Sequence, residues 1–321
     1  MPEGNISTAV QRLRQGKLVC FPTETVYGLG ADAGNAQAVA RIFALKGRPS
    51  NHPLIVHLAD SAQLTHWARN VPAAAWDLAA AFWPGPLTLI LEKAPWVPPA
   101  VTGGQQTIGL RIPAHPLALE LLRQFGGGLA APSANRFGQV SPTTAAHVLA
   151  EFGAEAPMIL DGGPCRVGVE STILNLVGGD TVLLRPGRIT PSALAAVLGR
   201  VPRNHQAGDQ VRAPGLLVSH YAPRTPLQLC PAEELVGFCN RHPQLRMALL
   251  CGRVTAPSNL PEQASLIAMP DNPADYGQGL YATLRELDGQ GYDLILVANP
   301  PTEEPWQAIH NRLSRAARNT L

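Results

Sequence analysis

Apolar and polar positions along the chain switch repeatedly between a helical period and the short runs of a buried strand, which is the signature of an α/β protein. A helical period over 6–15 leads into an apolar run at 18–21, and Asn35 is placed to cap a helix that reaches Lys46. Further runs predict strands at 54–58, 87–91, 107–112, 128–131, 158–160, 171–176 and 182–185, with helices at 73–82, 116–124, 143–151 and 191–198. Many strands with fewer helices predict one large, twisted, mixed sheet with helices packed on it. Between 201 and 226 the periodicity lapses into VPRNHQAGDQVRAPGLLVSHYAPRTP, too long for an ordinary connection and suited to a linker or lid. Beyond it, strands at 227–230, 247–251, 265–269 and 294–297 with helices at 232–241, 276–287 and 306–317 predict a smaller parallel α/β domain. The expected organisation is therefore a large domain over 1–200, a linker or lid over 201–226 and a C-terminal domain over 227–321.

A length of 321 residues fits two cores better than one. The composition, 45% hydrophobic and 15% charged, is that of a globular chain, and a net charge of +2 does not demand a broad nucleic-acid-binding face. Cys20, Cys165, Cys230, Cys239 and Cys251 include no C-x-x-C pair, so the expectation is free thiols in a reducing cytoplasm and no structural zinc. The first residues lack an apolar targeting segment and no apolar stretch is long enough to span a bilayer, so no membrane partner is expected.

The chemistry is concentrated in a few strings. Lysine occurs only at Lys17, Lys46 and Lys93, and Lys46 opens KGRPSNHPLIVHL with Arg48 close behind. A mobile ammonium beside a rigid guanidinium fork suits phosphate, although a lysine in a last helical turn also simply complements the dipole. The APSAN string at 131–135 supplies neutral donors and acceptors on a turn. His52 and His57 flank a strand and read equally as packing residues. Arg111 ends an alternating run where it can grip a carboxylate or pair with a structural acid. Glycine-rich turns at 161–163 and 168–172 allow backbone to approach a ligand closely. None of the lysines lies in a Walker A string, which excludes P-loop phosphoryl transfer. GLGADA at 28–33 formally fits a dinucleotide fingerprint, but it begins too far past the preceding strand for that turn.

FPTETVYGLG at 21–30, KGRP, PLIVH, LRIP at 110–113, PSAN at 132–135, DGG at 161–163, GVEST at 168–172 and LRPG at 184–187 occur in one order. That order resembles the YrdC-like family, specifically its longer two-domain threonylcarbamoyl-AMP synthases, and the resemblance continues through HYAP at 220–223. It implies the same mixed-sheet fold. It also implies a nucleotidyl transfer in which L-threonine, bicarbonate and ATP give threonylcarbamoyl-AMP and pyrophosphate, with Mg2+ carried mainly by ATP and no protein metal ligand. Lys46 and Arg48 would then be catalytic and, with His52, Thr107, Ser133, Asn135, Thr143, Arg185 and Tyr221, would bind ATP. Thr25, His57, Arg111 and Ser171 would bind threonine, with Thr23, Glu24 and Tyr27 shaping the pocket. His52 and Asn175 depart from the family's usual asparagine and aspartate. A tRNA-modifying threonylcarbamoyl transferase would accept the product, and tRNA contact is a weaker implication. The alternatives are an RNA-binding maturation module or another carbamoyl-adenylate-forming transferase.

Overall fold

A computed structural model describes residues 5–215, 221–257 and 259–317. The chain divides into two compact units, Met1–Phe137 with Ser141–Arg166 and Glu170–Leu216, and Gly138–Val140 with Val167–Val169 and Leu217–Leu321. Among the described residues of the first unit the strands are β1 (Val19–Phe21), β2 (Gly28–Asp32), β3 (Ile55–His57), β4 (Ala68–Arg69), β5 (Leu87–Lys93), β6 (Thr107–Arg111), β7 (Leu129–Ala130), β8 (Met158–Ile159), β9 (Thr172–Asn175), β10 (Val182–Arg185) and β11 (Arg203–Asn204). The helices are α1 (Ile6–Arg14), α2 (Ala36–Lys46), α3 (Leu64–Trp67), α4 (Ala73–Phe82), α5 (Pro99–Thr102), α6 (Pro116–Phe125), α7 (Ala145–Phe152) and α8 (Pro191–Leu198). All eleven strands join one mixed sheet in the order β11-β10-β9-β5-β6-β3-β7-β2-β1-β8, with β4 on β5.

The period-2 pattern sorts the sheet's faces. Val56, Leu89, Leu91, Ile108, Leu110, Leu174 and Leu183 point to the face covered by α2, α4, α7 and α8, and there form the main core. On the other face α1 and α6 cover Val19, Phe21 and Leu129 at one end. At the opposite end Ile55, Ile90, Ile173, Val182 and Leu184 are covered by Val211 and Ala213. Arg111 and His57 lie on this second face, because His57 pairs with Arg111 and Ile55 with Gly109 across β3 and β6.

One exclusion gains its structural reason here, and one expectation is corrected. The 28–33 glycine string is strand β2, hydrogen-bonded to β1 with Phe21 opposite Gly28 and Val19 opposite Gly30, so it cannot be the strand-to-helix turn of a dinucleotide site. Its glycines serve packing, since a Cβ at Gly30 would lie 2.7 Å from Cε1 of Phe21. The stretch read as a linker is partly built into the sheet: β11 pairs with β10, and Ala213 packs on the second face. Residues 216–220, including His220 of HYAP, lie outside the described residues. A smaller shift concerns the helix expected from 143: Thr144 is its cap, accepting from His147 N, and the helix begins at Ala145.

The second unit holds β12 (Leu227–Cys230), β13 (Met247–Gly252), β14 (Ala264–Met269), β15 (Leu294–Ala298), α9 (Leu235–Arg241), α10 (Pro273–Asp288) and α11 (Gln307–Ala316). Its strands are all parallel, in the order β12-β15-β13-β14, as the short apolar runs predicted. No helix among the described residues is long and apolar enough to cross a membrane.

Overpacking a strand against a neighbouring ring costs about 1–3 kcal/mol. Gly30→Ala is expected to lower stability by about that amount, and Phe21→Leu in the same chain to restore part of it. Denaturant melts of the two variants and the double variant check this; a Gly30→Ala protein as stable as the parent would show that the ring moves freely.

Candidate active site

Arg111, at the end of β6, is 3% exposed and surrounded by its own partners. Its Nη2 donates to Glu24 Oε1 at 2.6 Å, its Nη1 to Thr25 Oγ1 at 3.0 Å and its Nε to the Gly85 carbonyl at 3.2 Å. Glu24 in turn accepts from Ala114 N through its other oxygen at 2.9 Å, so a buried carboxylate is satisfied on both sides. The structural acid is therefore present, and together with Thr25 and the Gly85 carbonyl it takes up three of the five N–H groups of Arg111, leaving one on each terminal nitrogen. Thr23 caps the turn that presents this acid: its Oγ1 donates to Val26 O and lies 2.8 Å from Thr25 Oγ1.

His57 is Arg111's cross-strand neighbour and meets the edge of the Phe21 ring at 6.0 Å between centroids. Burial, followed by the Arg111 charge, pushes its imidazole down to about 3, so it is neutral at physiological pH. Ser171, fully buried, shares a 2.8 Å hydrogen bond with Thr88 Oγ1. It also receives Arg185, whose Nη2 donates to Ser171 Oγ at 3.1 Å and whose Nε donates to Ser171 O at 3.0 Å. Arg185 also donates to the Pro214 carbonyl at 3.2 Å.

The second group forms where α2 ends. Gly47 adopts φ +61°, the left-handed turn that glycine takes most readily, and Arg48 N returns to Phe43 O. Lys46 and Arg48 are thereby buried side by side at 3% and 8% exposure. Lys46 Nζ donates to the Ser133 carbonyl at 2.6 Å and to the Asn135 carbonyl. Burial, then Arg48, hold its ammonium well below the ordinary lysine value. Arg48 donates to Pro53 O at 2.8 Å and lies over the Phe137 ring, against whose edge His52 also packs. Burial and the Arg48 and Arg212 charges lower the His52 imidazole.

One segment joins the two groups. Tyr27 O accepts from Ala134 N, and Tyr27 N donates to Pro142 O beside Thr143. The same 23–27 turn therefore holds Arg111 through Glu24 and Thr25, and the PSAN loop that holds Lys46. Tyr27's phenol donates to Gly163 O and accepts from Gly162 N, anchoring the 161–163 turn. Thr143 contacts His147 Nδ1 at 3.3 Å, and Glu170 accepts from Ser141 at 2.6 Å. Asn175 closes its own turn onto Val177 through both ends of its amide. Thr107 opens β6 on Arg111's face but is half-exposed. Tyr221 belongs to the second unit, where it takes φ +64°, stacks on Tyr281 at 5.9 Å and lies under the Arg312 guanidinium. Thr88 and the Gly85 carbonyl were not singled out in the sequence; only the pairing of β5 with β6 reveals them.

Cys20 and Cys165 lie close to these groups, but burial raises each thiol to about 12, so neither is a thiolate nucleophile. Among the described residues no group of three or more His, Cys, Asp or Glu is placed to hold a metal ion.

A family model described as Telomere recombination matches residues 11–187, and one described as Threonylcarbamoyl-AMP synthase, C-terminal domain, matches residues 189–318. The chain is 41% identical to a threonylcarbamoyl-AMP synthase of Bacillus subtilis over 97% of its length and 92% of that protein's. It is 39% identical to the Pyrococcus abyssi threonylcarbamoyl-AMP synthase over 98% of its length and 94% of that protein's. The crystal structure of P. abyssi Sua5 complexed with L-threonine is similar with a TM-score of 0.88 at 38% identity, covering 98% of this chain and 94% of that one.

Two measurements test this geometry. Because the folded imidazole of His57 titrates near 3 and the unfolded one near 6.5, the unfolded state binds the extra proton between those values and stability falls as pH drops through that window. His57→Asn should remove this contribution, so the parent's acid loss should exceed the variant's by up to about 1.4 kcal/mol per pH unit there, measured by denaturant melts across pH. Separately, Glu24→Ala strands a buried guanidinium and is expected to lower stability by about 3–5 kcal/mol; a loss below 1 kcal/mol would mean water reaches Arg111.

Proposed function

The chain belongs to the threonylcarbamoyl-AMP synthase family in its two-domain form, and from that premise we propose how its own residues divide the work. It is an enzyme that makes threonylcarbamoyl-AMP for the threonylcarbamoyladenosine modification of tRNA. The observation that carries the assignment of ends is the 23–27 turn, which ties one buried cation group to another: Arg111 on one side and Lys46 with Arg48 on the other.

Arg111's two unspent N–H groups suit the carboxylate of L-threonine, with neutral His57, Thr25 and Ser171 completing that end. Lys46 and Arg48 suit the phosphates of ATP, together with His52, Thr107, Ser133, Asn135, Thr143 and Arg185. An anion between Lys46 and Arg48 also relieves their mutual repulsion. In the reaction the threonine amine takes up bicarbonate carbon with loss of water, giving a carbamate. A carbamate oxygen then attacks the α-phosphorus and pyrophosphate leaves. The protein contributes position and fixed positive charge rather than a covalent nucleophile, consistent with its protonated thiols. Mg2+ on the oxygens of ATP would add charge neutralisation at the departing pyrophosphate and needs no protein carboxylates. Buried free thiols agree with a reducing cytoplasm, and an unstable mixed anhydride product agrees with direct delivery to a tRNA-modifying transferase.

The test is pyrophosphate release from ATP and Mg2+ with L-threonine and bicarbonate omitted in turn. Release that needs both, and that falls at least about 100-fold in a folded Arg48→Ala variant, is the expected result. Turnover indifferent to threonine would overturn the reading.

A further inference from the structure

Thr88 has no part in the assignment above, yet it occupies the position beside Arg111. In the antiparallel β5–β6 ladder Leu89 pairs with Leu110 and Ile90 with Gly109, so the next rung sets Thr88 opposite Arg111. His57 stands on Arg111's other side across β3. Three neighbouring strands thus present His57, Arg111 and Thr88 in one row on one face, with directly opposite side chains about 5 Å apart.

The Thr88 side chain is fully buried, and its orientation is fixed by packing. A Cβ at Gly109 would lie 3.4 Å from its methyl, which places the methyl over β6 while the hydroxyl meets Ser171 Oγ at 2.8 Å. Ser171 Oγ also accepts from Arg185. The two hydroxyls together own two hydrogens, and the bond between them uses one. Among the described residues the side-chain hydrogen bonds of these two oxygens are the one they share and the one from Arg185, so the pair holds one O–H in reserve whichever hydroxyl donates to the other. A buried donor of this kind is costly unless an acceptor arrives, and the guanidinium behind Ser171 strengthens it as a donor.

Resting on the functional reading above, we propose that Thr88 and Ser171 act as one neutral donor pair that recognises a carboxylate or carbamate oxygen of the amino-acid substrate, beside the charged fork of Arg111. Thr88 is then a substrate-recognition residue, and it sets affinity for the amino acid rather than for the nucleotide.

The test is a double-mutant cycle read by calorimetric titration of L-threonine, and separately of ATP, into the full chain. Thr88→Val replaces the hydroxyl with a methyl of similar shape and is expected to weaken threonine binding about tenfold, with ATP binding unchanged. Thr88→Ser should bind within about twofold of the parent, Ser171→Ala should weaken threonine binding at least as much as Thr88→Val, and the double variant should lose little more than Ser171→Ala alone. Threonine affinity unaltered by Thr88→Val, or losses that add in the double variant, would overturn the proposal. So would equal losses for threonine and ATP accompanied by a lower melting temperature, the mark of a purely structural threonine. A parent protein that binds no threonine at all would instead overturn the functional reading on which the pair's role rests.

Discussion

Arg111 is the group on which the site depends. A guanidinium this deep in the protein is tolerable only if its charge and most of its N–H groups are met, because the desolvation of an unpaired ion costs several kcal/mol. The fold meets it with Glu24, Thr25 and the Gly85 carbonyl, which come from two separate loops. Each of those loops is in turn held elsewhere: Glu24 by Ala114 N, and the 85–86 turn by Thr172 N on Pro86 O. The pair therefore does more than neutralise a charge. It fixes the relation among the 23–27 turn, the start of β5 and the start of β9, and those are the segments that carry Thr25, Thr88 and Ser171.

The same logic runs through the other end of the site with different chemistry. Lys46 is hydrogen-bonded to backbone carbonyls rather than to a carboxylate, and neutral acceptors do not cancel its charge as Glu24 does that of Arg111. Burial, and then the Arg48 charge alongside, disfavour the ammonium. One end is thus preorganised by a salt bridge and the other is held in electrostatic tension.

The second unit adds a constraint of its own. Tyr221 holds a left-handed backbone that a tyrosine adopts at a cost of about 1–2 kcal/mol. Its stacking on Tyr281 and the Arg312 guanidinium over its ring offset that cost, since cation–π and aromatic pairs contribute comparable amounts when buried.

Periodicity alone placed most helices and strands, because a half-buried strand and an amphipathic helix write different repeats into the sequence whatever they pack against. It assigned no element at β2, since nothing local announces that Phe21 lies across its glycines. It failed again at β11, a two-residue strand too short to carry a period. Residue chemistry and the order of the motifs likewise marked Lys46, Arg48, Arg111 and Ser171 as the residues to watch. What the sequence could not contain was register. That Glu24 rather than some other acid neutralises Arg111, and that Thr88 stands next to it, follows from which strands pair and on which rung. The first joins positions 87 residues apart and the second positions 23 apart, and only the folded sheet sets their distance.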